Sequence, residues 1–340
     1  MIDLKDFWYI AAEKNELKKD KPLARTILSE WVVLYRDENG RAVALRDKCL
    51  HRGSQLSRGR VQNGQLVCGY HGWHYDGKGQ VVKIPSEGPQ VQTRERCAHR
   101  FDIIEQDNYV YVRLNQEKGL SVLPFRMPSY EQKGYSTIRL QNLFANNVTN
   151  CAENFVDIPH TTFVHPNIFR NSKDEKFGAK VLRSEGSVLV QYSNETKNFG
   201  FFSWFLNPKG KEIEHTDEFL MPNVTSVHYK FGDGKHFIIT SQSVPIEENK
   251  TLVYTDLTYN YGIWNLIARP IIKWQAQKII DQDIEILNNQ MKTIKKYGLS
   301  FQNSKADIIH SFIESIQFEI EQGRDPRQLP KKEVEIEFWV

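Results

Sequence analysis

Short runs of β-branched and aromatic residues, each closed by a turn signal, fill the first 118 or so residues and leave little helical periodicity. WVVLYRD (31–37), RAVALRD (41–47), QLVCGYH (65–71), QVVKIP (80–85) and NYVYVRL (108–114) predict strands, with Asn39-Gly40 and Asp76-Gly77 as turns. Residues 1–118 are therefore expected to form an all-β domain and 119–340 a second domain, entered through the connector LPFRMPSY. There the pattern changes. CAENFVDIPHTTFVH (151–165) predicts a helix interrupted near Pro159, and a β-rich stretch from about 180 to 260 predicts a sheet, with Asp233-Gly234 as a hairpin turn. Pro270 is expected to open a long helix on which Ile272, Gln275, Ile279, Asp283, Ile286 and Gln290 fall on neighbouring turns. A second helix follows, with Ser304 and Asp307 as caps, apolar Ile308, Ile309, Phe312, Ile316 and Ile320, and Gly323 at its stop. The expected fold class is α+β: an N-terminal all-β domain, then an antiparallel sheet packed against long helices.

Composition narrows the function classes. The 340 residues, 40% hydrophobic and 26% charged, suffice for two cores and exclude a disordered chain. Lys and Arg number 45 against 42 Asp and Glu, a net charge of +3 that argues against a nucleic-acid or membrane-surface partner. No apolar run approaches the roughly 18 residues of a membrane helix, and MIDLKDFWYIAAEKNE carries acids where a signal peptide has bases, so a cytoplasmic protein is expected. Four cysteines, Cys49, Cys68, Cys97 and Cys151, are too few for a disulfide framework, and two sit beside histidines.

Those two form hooks. Cys49-Leu50-His51-Arg52-Gly53 and Cys68-Gly69-Tyr70-His71-Gly72-Trp73 offer two soft thiolates and two imidazoles, a donor set for zinc or for a [2Fe–2S] cluster with Cys on one iron and His on the other. Gly53, Gly69 and Gly72 allow backbone N–H groups close to the sulfurs, and Cys and His alternate within each hook, which favours iron–sulfur over zinc. The pattern closely resembles the Rieske motif, as do Arg52-Gly53 and Tyr75-Asp76-Gly77. It departs at Gly69, where many relatives have Pro, a change expected to loosen the second hook slightly. Cys97 lies outside both hooks and is read as a buried or incidental thiol.

A second constellation decides between an electron carrier and an enzyme. His160 and His165 lie five residues apart across a Pro-perturbed turn, a spacing that can aim both imidazoles at one point. With a distant carboxylate they would form the facial triad that holds Fe(II) with positions left open. Asp283 shares a helix face with Ile279, Ile280 and Leu287 and should point inward, whereas Asp281 faces away. The segment Asn154-Phe155-x-Asp157-x-x-His160-x-x-Phe163-Val164-His165 resembles the mononuclear iron motif of Rieske non-haem iron oxygenase α-subunits.

That resemblance covers essentially the whole chain and implies a helix-grip-like catalytic domain, with His160, His165 and Asp283 as iron ligands and Asp157 bridging the two metal centres. Asn154 matches a position near the iron. It also implies a head-to-tail homotrimer, in which a cluster histidine meets the neighbouring subunit's Asp157. No nucleotide-binding motif is visible, so electrons from NAD(P)H would arrive through a separate reductase, with or without a ferredoxin. The expected function is a terminal oxygenase that uses O₂ to hydroxylate or oxidatively demethylate a small aromatic or heterocyclic substrate. The alternatives are a Rieske electron carrier without a second iron, a zinc-stabilised scaffold, and a cis-dihydroxylating dioxygenase. Phe202 and Trp204, alternating on one strand face, with His228 and Trp274, are the candidates for the pocket wall.

Overall fold

The computed structural model describes residues 2–88, 96–116, 123–166, 168, 176–193, 212–232 and 234–339. Two compact units emerge, Lys5–Arg126 and a second from Met127 onward that also takes in the first four residues. The change of unit falls inside the Pro-containing connector rather than ahead of it.

The first unit is built of three antiparallel sheets. One joins β1 (Tyr9–Glu13), β9 (Asp102–Gln106) and β10 (Tyr109–Arg113), and a second joins β2 (Leu23–Ile27), β3 (Glu30–Arg36) and β4 (Ala42–Arg46). The third contains β5 (Arg60–Gln62), β6 (Gln65–Val67), β7 (His74–Tyr75) and β8 (Val81–Lys83). Val33, Tyr35, Val43 and Leu45 pack with Leu56, Leu66, Trp73 and Tyr75 in a single core that also encloses Cys49 and Cys68. Both hooks thus leave the ends of strands whose side chains are already fixed. Asp76 accepts from the backbone N–H groups of Lys78 and Gln80, and Gly79, not Gly77, takes the left-handed position, at φ 83°. A Cβ at Gly79 would sit 2.6 Å from the Ala98 carbonyl oxygen.

The second unit carries one eight-stranded antiparallel sheet. Its strands are β11 (Ser136–Phe144), β12 (Lys176–Ser184), β13 (Ser187–Ser193), β14 (Ile213–Leu220), β15 (Val224–Phe231), β16 (His236–Glu247), β17 (Lys250–Asn260) and β18 (Lys332–Trp339). The order is β11-β17-β16-β15-β14-β13-β12-β18. Both edge strands, β11 and β18, lie outside the stretch where the sequence pattern predicts a sheet. β18 alternates Glu333, Glu335 and Glu337 with Val334, Ile336 and Phe338, and its acids pair with the neighbouring strand, Lys180 with Glu333 at 2.9 Å and Lys176 with Glu337 at 2.8 Å. Charge on an edge strand blunts edge-to-edge association.

Four helices accompany the sheet among the described residues: α1 (Val148–Asn154), α2 (Ile158–Val164), α3 (Asn265–Tyr297) and α4 (Ile308–Glu321). The helix predicted over 151–165 is two helices, and the break comes before Pro159, which sits in the first turn of α2 where its missing N–H costs nothing. Likewise α3 opens at Asn265, and Pro270 lies inside it rather than at its start. The carbonyl left without a donor belongs to Leu266, an exposed residue whose side water can reach. Ala268, Ile272, Gln275, Ile280, Asp283, Leu287 and Met291 form the buried face of α3, while Ile286 is exposed, contrary to its expected place. At the start of α4 the Asp307 carboxylate accepts from Ser304 N–H and not from the helix itself. No helix among the described residues is long and apolar enough to cross a membrane. Asp233 lies outside the described residues.

A hydrogen-bonded row runs from Ser226 Oγ to His228 Nε2 (2.9 Å), from His228 Nδ1 to His236 Nε2 (3.3 Å), and from His236 Nδ1 to the Tyr135 hydroxyl (3.2 Å). Burial, reinforced by the neighbouring His236, pulls His228 down from 6.5 to about 4. Between those pH values the unfolded chain binds a proton at this residue that the folded chain refuses, so the contribution of His228 to stability is full above pH 6.5 and declines as pH falls toward 4. His228→Gln should flatten the difference between urea midpoints measured at pH 7.5 and at pH 4.5; an unchanged difference would place the acid sensitivity elsewhere.

Candidate metal centres

In the first unit, Cys49 follows β4 and Cys68 follows β6, each at the head of a tight turn. Gly53 N–H donates to the Cys49 carbonyl at 2.9 Å and Gly72 N–H to the Cys68 carbonyl at 3.1 Å, and both glycines have positive φ (74° and 68°). The turns bring the rings of His51 and His71 to 4.5 Å at an interplanar angle of 72°, and Trp73 stacks flat on His51 at 4.9 Å. Tyr75, whose phenol is raised first by burial and then by Cys49, places its hydroxyl 3.2 Å from Cys49 Sγ and 3.0 Å from Leu50 N. Burial likewise raises the Cys68 thiol, although backbone N–H groups of Tyr70 and His71 oppose the shift.

Both sulfurs are buried, whereas His71 lies exposed. Buried His51 Nδ1 has no hydrogen-bond partner. The two imidazoles meet edge to edge at 4.5 Å, while the two thiols are buried beside the Tyr75 hydroxyl and backbone N–H groups, a pairing of like donors that suits cysteines on one iron and histidines on the other. The donor set therefore fits a two-iron cluster better than zinc. Gly69 packs against the backbone of Arg58 and Gly59, where a Cβ would meet the Arg58 carbonyl oxygen at 3.1 Å. Cys97 is exposed, not buried, and its thiol donates to the carbonyls of Lys78 and Ala98.

In the second unit, α2 and α3 bring His160, His165 and Asp283 together, with one donor atom of each within 4.8 Å of the others. His165 Nε2 stands 3.0 Å and His160 Nε2 3.5 Å from Asp283 Oδ1. Behind the opposite nitrogens, Asp157 Oδ2 makes an ion-pair contact with His160 Nδ1 at 3.3 Å without hydrogen-bond alignment, and Gln282 Oε1 lies in a hydrogen bond with His165 Nδ1 at 2.9 Å. Asp157 precedes α2 yet spends no side-chain oxygen on capping it, which leaves the carboxylate for His160. With an N–H on each Nδ1, both Nε2 atoms are acceptors that a cation can use. Burial alone would lower His160, but Asp157 and Asp283 outweigh it and push it up to about 10. Burial would raise Asp283, and the two histidines overturn that and hold it below its ordinary value. A buried carboxylate between two imidazoles thus demands a positive charge, as a divalent metal site does.

Asn154, at the end of α1, is buried with its Oδ1 unpartnered and faces the same space. That space is a cavity of about 130 Å³ walled by Phe155, Val227, Phe237, Ile239, Leu257 and Ile272, with Asp157, His160, His165 and Asp283 among its lining. Ladder register explains the wall: Asp217, Val227, Ile239 and Leu257 stand opposite one another across β14, β15, β16 and β17, with His215, Tyr229 and Phe237 on an adjoining row. This parity corrects the expectation for His228, which lies between Val227 and Tyr229 and belongs to the Ser226–His236 row, not the cavity. Trp274 is likewise not in the wall; it is 63% exposed, beside Lys278, on the side of α3 away from Ile272 and Ala276. Phe202 and Trp204 lie outside the described residues. Asp281 points outward and bonds to Gln277. Sequence reasoning missed Gln282, His215, Asp217 and Tyr229; only the His-x-Asp spacing at 215–217, both inward on a strand, carried a signal.

Comparison with known proteins gives two family matches, the Rieske [2Fe-2S] domain over residues 7–99 and the vanillate O-demethylase oxygenase C-terminal domain over 144–308. Among curated proteins, the chain is 27% identical over 332 residues to a chloroplastic pheophorbide a oxygenase of Oryza sativa subsp. japonica, covering 89% of this chain and 59% of that protein. It is 29% identical over 318 residues to the oxygenase component of dicamba O-demethylase from Stenotrophomonas maltophilia, covering 88% and 92%. The chain spans under two-thirds of the length of several of these relatives, 56% for the iron–sulfur subunit of a toluene-4-sulfonate monooxygenase system of Comamonas testosteroni, at 27% identity. A solved dicamba monooxygenase bound to 3,6-dichlorosalicylic acid shares the fold with a TM-score of 0.81 over 95% of this chain and 98% of that one, at 21% identity.

Asp283→Ala should abolish iron binding at the second centre and leave the visible spectrum of the first unchanged, while Asp281→Ala should alter neither. Gln282→Leu, which frees the His165 tautomer, should weaken Fe(II) binding there by about 10- to 100-fold. Metal titration of the three variants checks both, and full iron retention in Asp283→Ala would move the carboxylate ligand elsewhere.

Proposed function

Because the chain belongs to the Rieske non-haem iron oxygenases, we propose that it is the terminal oxygenase component of a multicomponent system that hydroxylates or oxidatively demethylates a small apolar substrate. The observation that carries this reading is the meeting of His160, His165 and Asp283 at the edge of an apolar cavity. An electron carrier would need neither the buried triad nor the cavity. Cys49, His51, Cys68 and His71 would hold the cluster and His160, His165 and Asp283 the Fe(II), which when bound supplies O₂ activation fed by electrons from the cluster. The chain's own groups bind, orient and exclude water. Gln282 fixes the His165 tautomer, Asp157 sets its negative charge beside His160 Nδ1, Asn154 presents an unpartnered oxygen, and Phe155, Ile239, Leu257 and Ile272 keep the reacting space dry.

Electrons would come from NAD(P)H through a separate reductase, with or without a ferredoxin, and the working unit would be a homotrimer. The partly exposed Asp157 carboxylate supports that assembly, since it can hold His160 and still accept a hydrogen bond from a neighbouring subunit's cluster histidine.

Metal and acid-labile sulfide analysis with EPR on dithionite-reduced protein tests the reading. About three irons and two sulfides per chain, with an anisotropic mixed Cys/His cluster signal, are expected; two irons would return the electron carrier, and zinc without sulfide the scaffold. Asp157→Asn should retain both centres and the trimer yet lower turnover by about 10-fold or more, the range seen when groups behind metal ligands are removed. Turnover within a few-fold of the parent would remove Asp157 from the electron path, and light scattering of a chain at 39.7 kDa instead of three times that mass would remove the trimer.

A further inference from the structure

Away from the triad, the cavity holds a second polar group that none of the iron chemistry uses. On β14, where the inward positions of a sheet are ordinarily apolar, His215 and Asp217 stand side by side, both almost fully buried. His215 Nε2 lies 2.9 Å from Asp217 Oδ1, and the Tyr192 hydroxyl donates to Asp217 Oδ2 at 3.1 Å. Two rings clamp the imidazole: Tyr192 at 4.6 Å and Tyr229 at 4.2 Å, both stacked. Burial first, and then Asp217, hold the Tyr192 phenol well above the ordinary tyrosine range, so its proton stays in place for donation. His215, Asp217 and Tyr229 all line the cavity.

Such a cluster costs stability relative to apolar side chains of the same size, and a costly, well-held polar group at the wall of an apolar cavity marks a place where something polar is received. A carboxylate offers about four acceptor directions, of which His215 and Tyr192 take two. Among the described lining residues there is no Lys or Arg, so the cavity has no permanent cation to meet an anionic group. Resting on the oxygenase reading above, we propose that Asp217, braced by His215 and Tyr192, is the substrate anchor, and that it selects an apolar ring compound bearing a hydrogen-bond donor, a hydroxyl, amide N–H or ammonium, over an aromatic carboxylate. Asp217 accepts that donor and so sets which edge of the ring faces His160 and His165.

The test is calorimetric binding to the holoenzyme of three probes that share one ring: 4-methoxybenzyl alcohol, 4-methoxybenzylamine and 4-methoxybenzoate. The alcohol or the amine should bind at least 10-fold more tightly than the benzoate, and Asp217→Asn should erase the amine's advantage. Tyr192→Phe, which keeps the carboxylate, should preserve the ranking, so the ranking remains readable if Asp217→Asn does not fold. Benzoate binding as tight as the other two, or failure of both donor-bearing probes at millimolar concentration, overturns the proposal. A purely structural role overturns it as well, and would show as a lower melting temperature in Asp217→Asn with an unchanged ranking. Iron and sulfide content of the same samples reports on the oxygenase reading separately, because the preference for a donor resides in Asp217 and not in the metal.

Discussion

A carboxylate buried between two imidazoles is tolerable only if positive charge sits among them, and the second unit is organised around meeting that condition. Asp283 comes from the middle of a 33-residue helix, His160 from a helix of seven residues, and His165 from the position that caps that helix's C-terminus. Neither helix could hold the point alone. The break between α1 and α2 turns His160 and His165 toward Asp283, while Asp157 and Gln282 press on the far nitrogens so that the near ones are left for a cation. Electrostatics records the same arrangement, with His160 raised and Asp283 lowered against the pull of burial on both.

The first unit solves a different problem by similar means. Two thiols and two imidazoles are carried on turns whose chain reversal needs positive φ at Gly53 and Gly72, and the turns are rooted in a core that includes the cysteines themselves. Burial raises the Cys68 thiol, the N–H groups of Tyr70 and His71 oppose that in part, and the Tyr75 hydroxyl lies against Cys49 Sγ. The two units thus share a principle: the donors sit on backbone that packing and hydrogen bonds hold in place.

Between the triad and the opposite wall, the sheet acts as a ruler. Its two-residue period puts Asp217, Val227, Ile239 and Leu257 in one row and turns His228 to the other face. One residue of slip would exchange the cavity wall for the Ser226–His228–His236 row, so the shape and polarity of the cavity rest on register more than on composition.

Sequence by itself determined the local chemistry. The paired hooks at Cys49–His51 and Cys68–His71, the strand and turn pattern of the first unit, and the inward stripe of α3 that carries Asp283 all follow from spacings of a few residues, where backbone geometry dictates which side chains share a face. Tertiary structure decided what those spacings could not. Gln282 is one residue from Asp283 in the chain, yet its role depends on His165, 117 residues away. The His215–Asp217–Tyr192 cluster joins neighbouring strands, and β11 and β18 join the sheet through partners more than a hundred residues distant, Ser136 opposite Tyr259 and Lys332 opposite Arg183. Trp274 and His228 were plausible wall residues by type, and only helix phase and strand parity turned them away. Long-range pairing is fixed by the sum of many burials, so no local pattern in the sequence carries it.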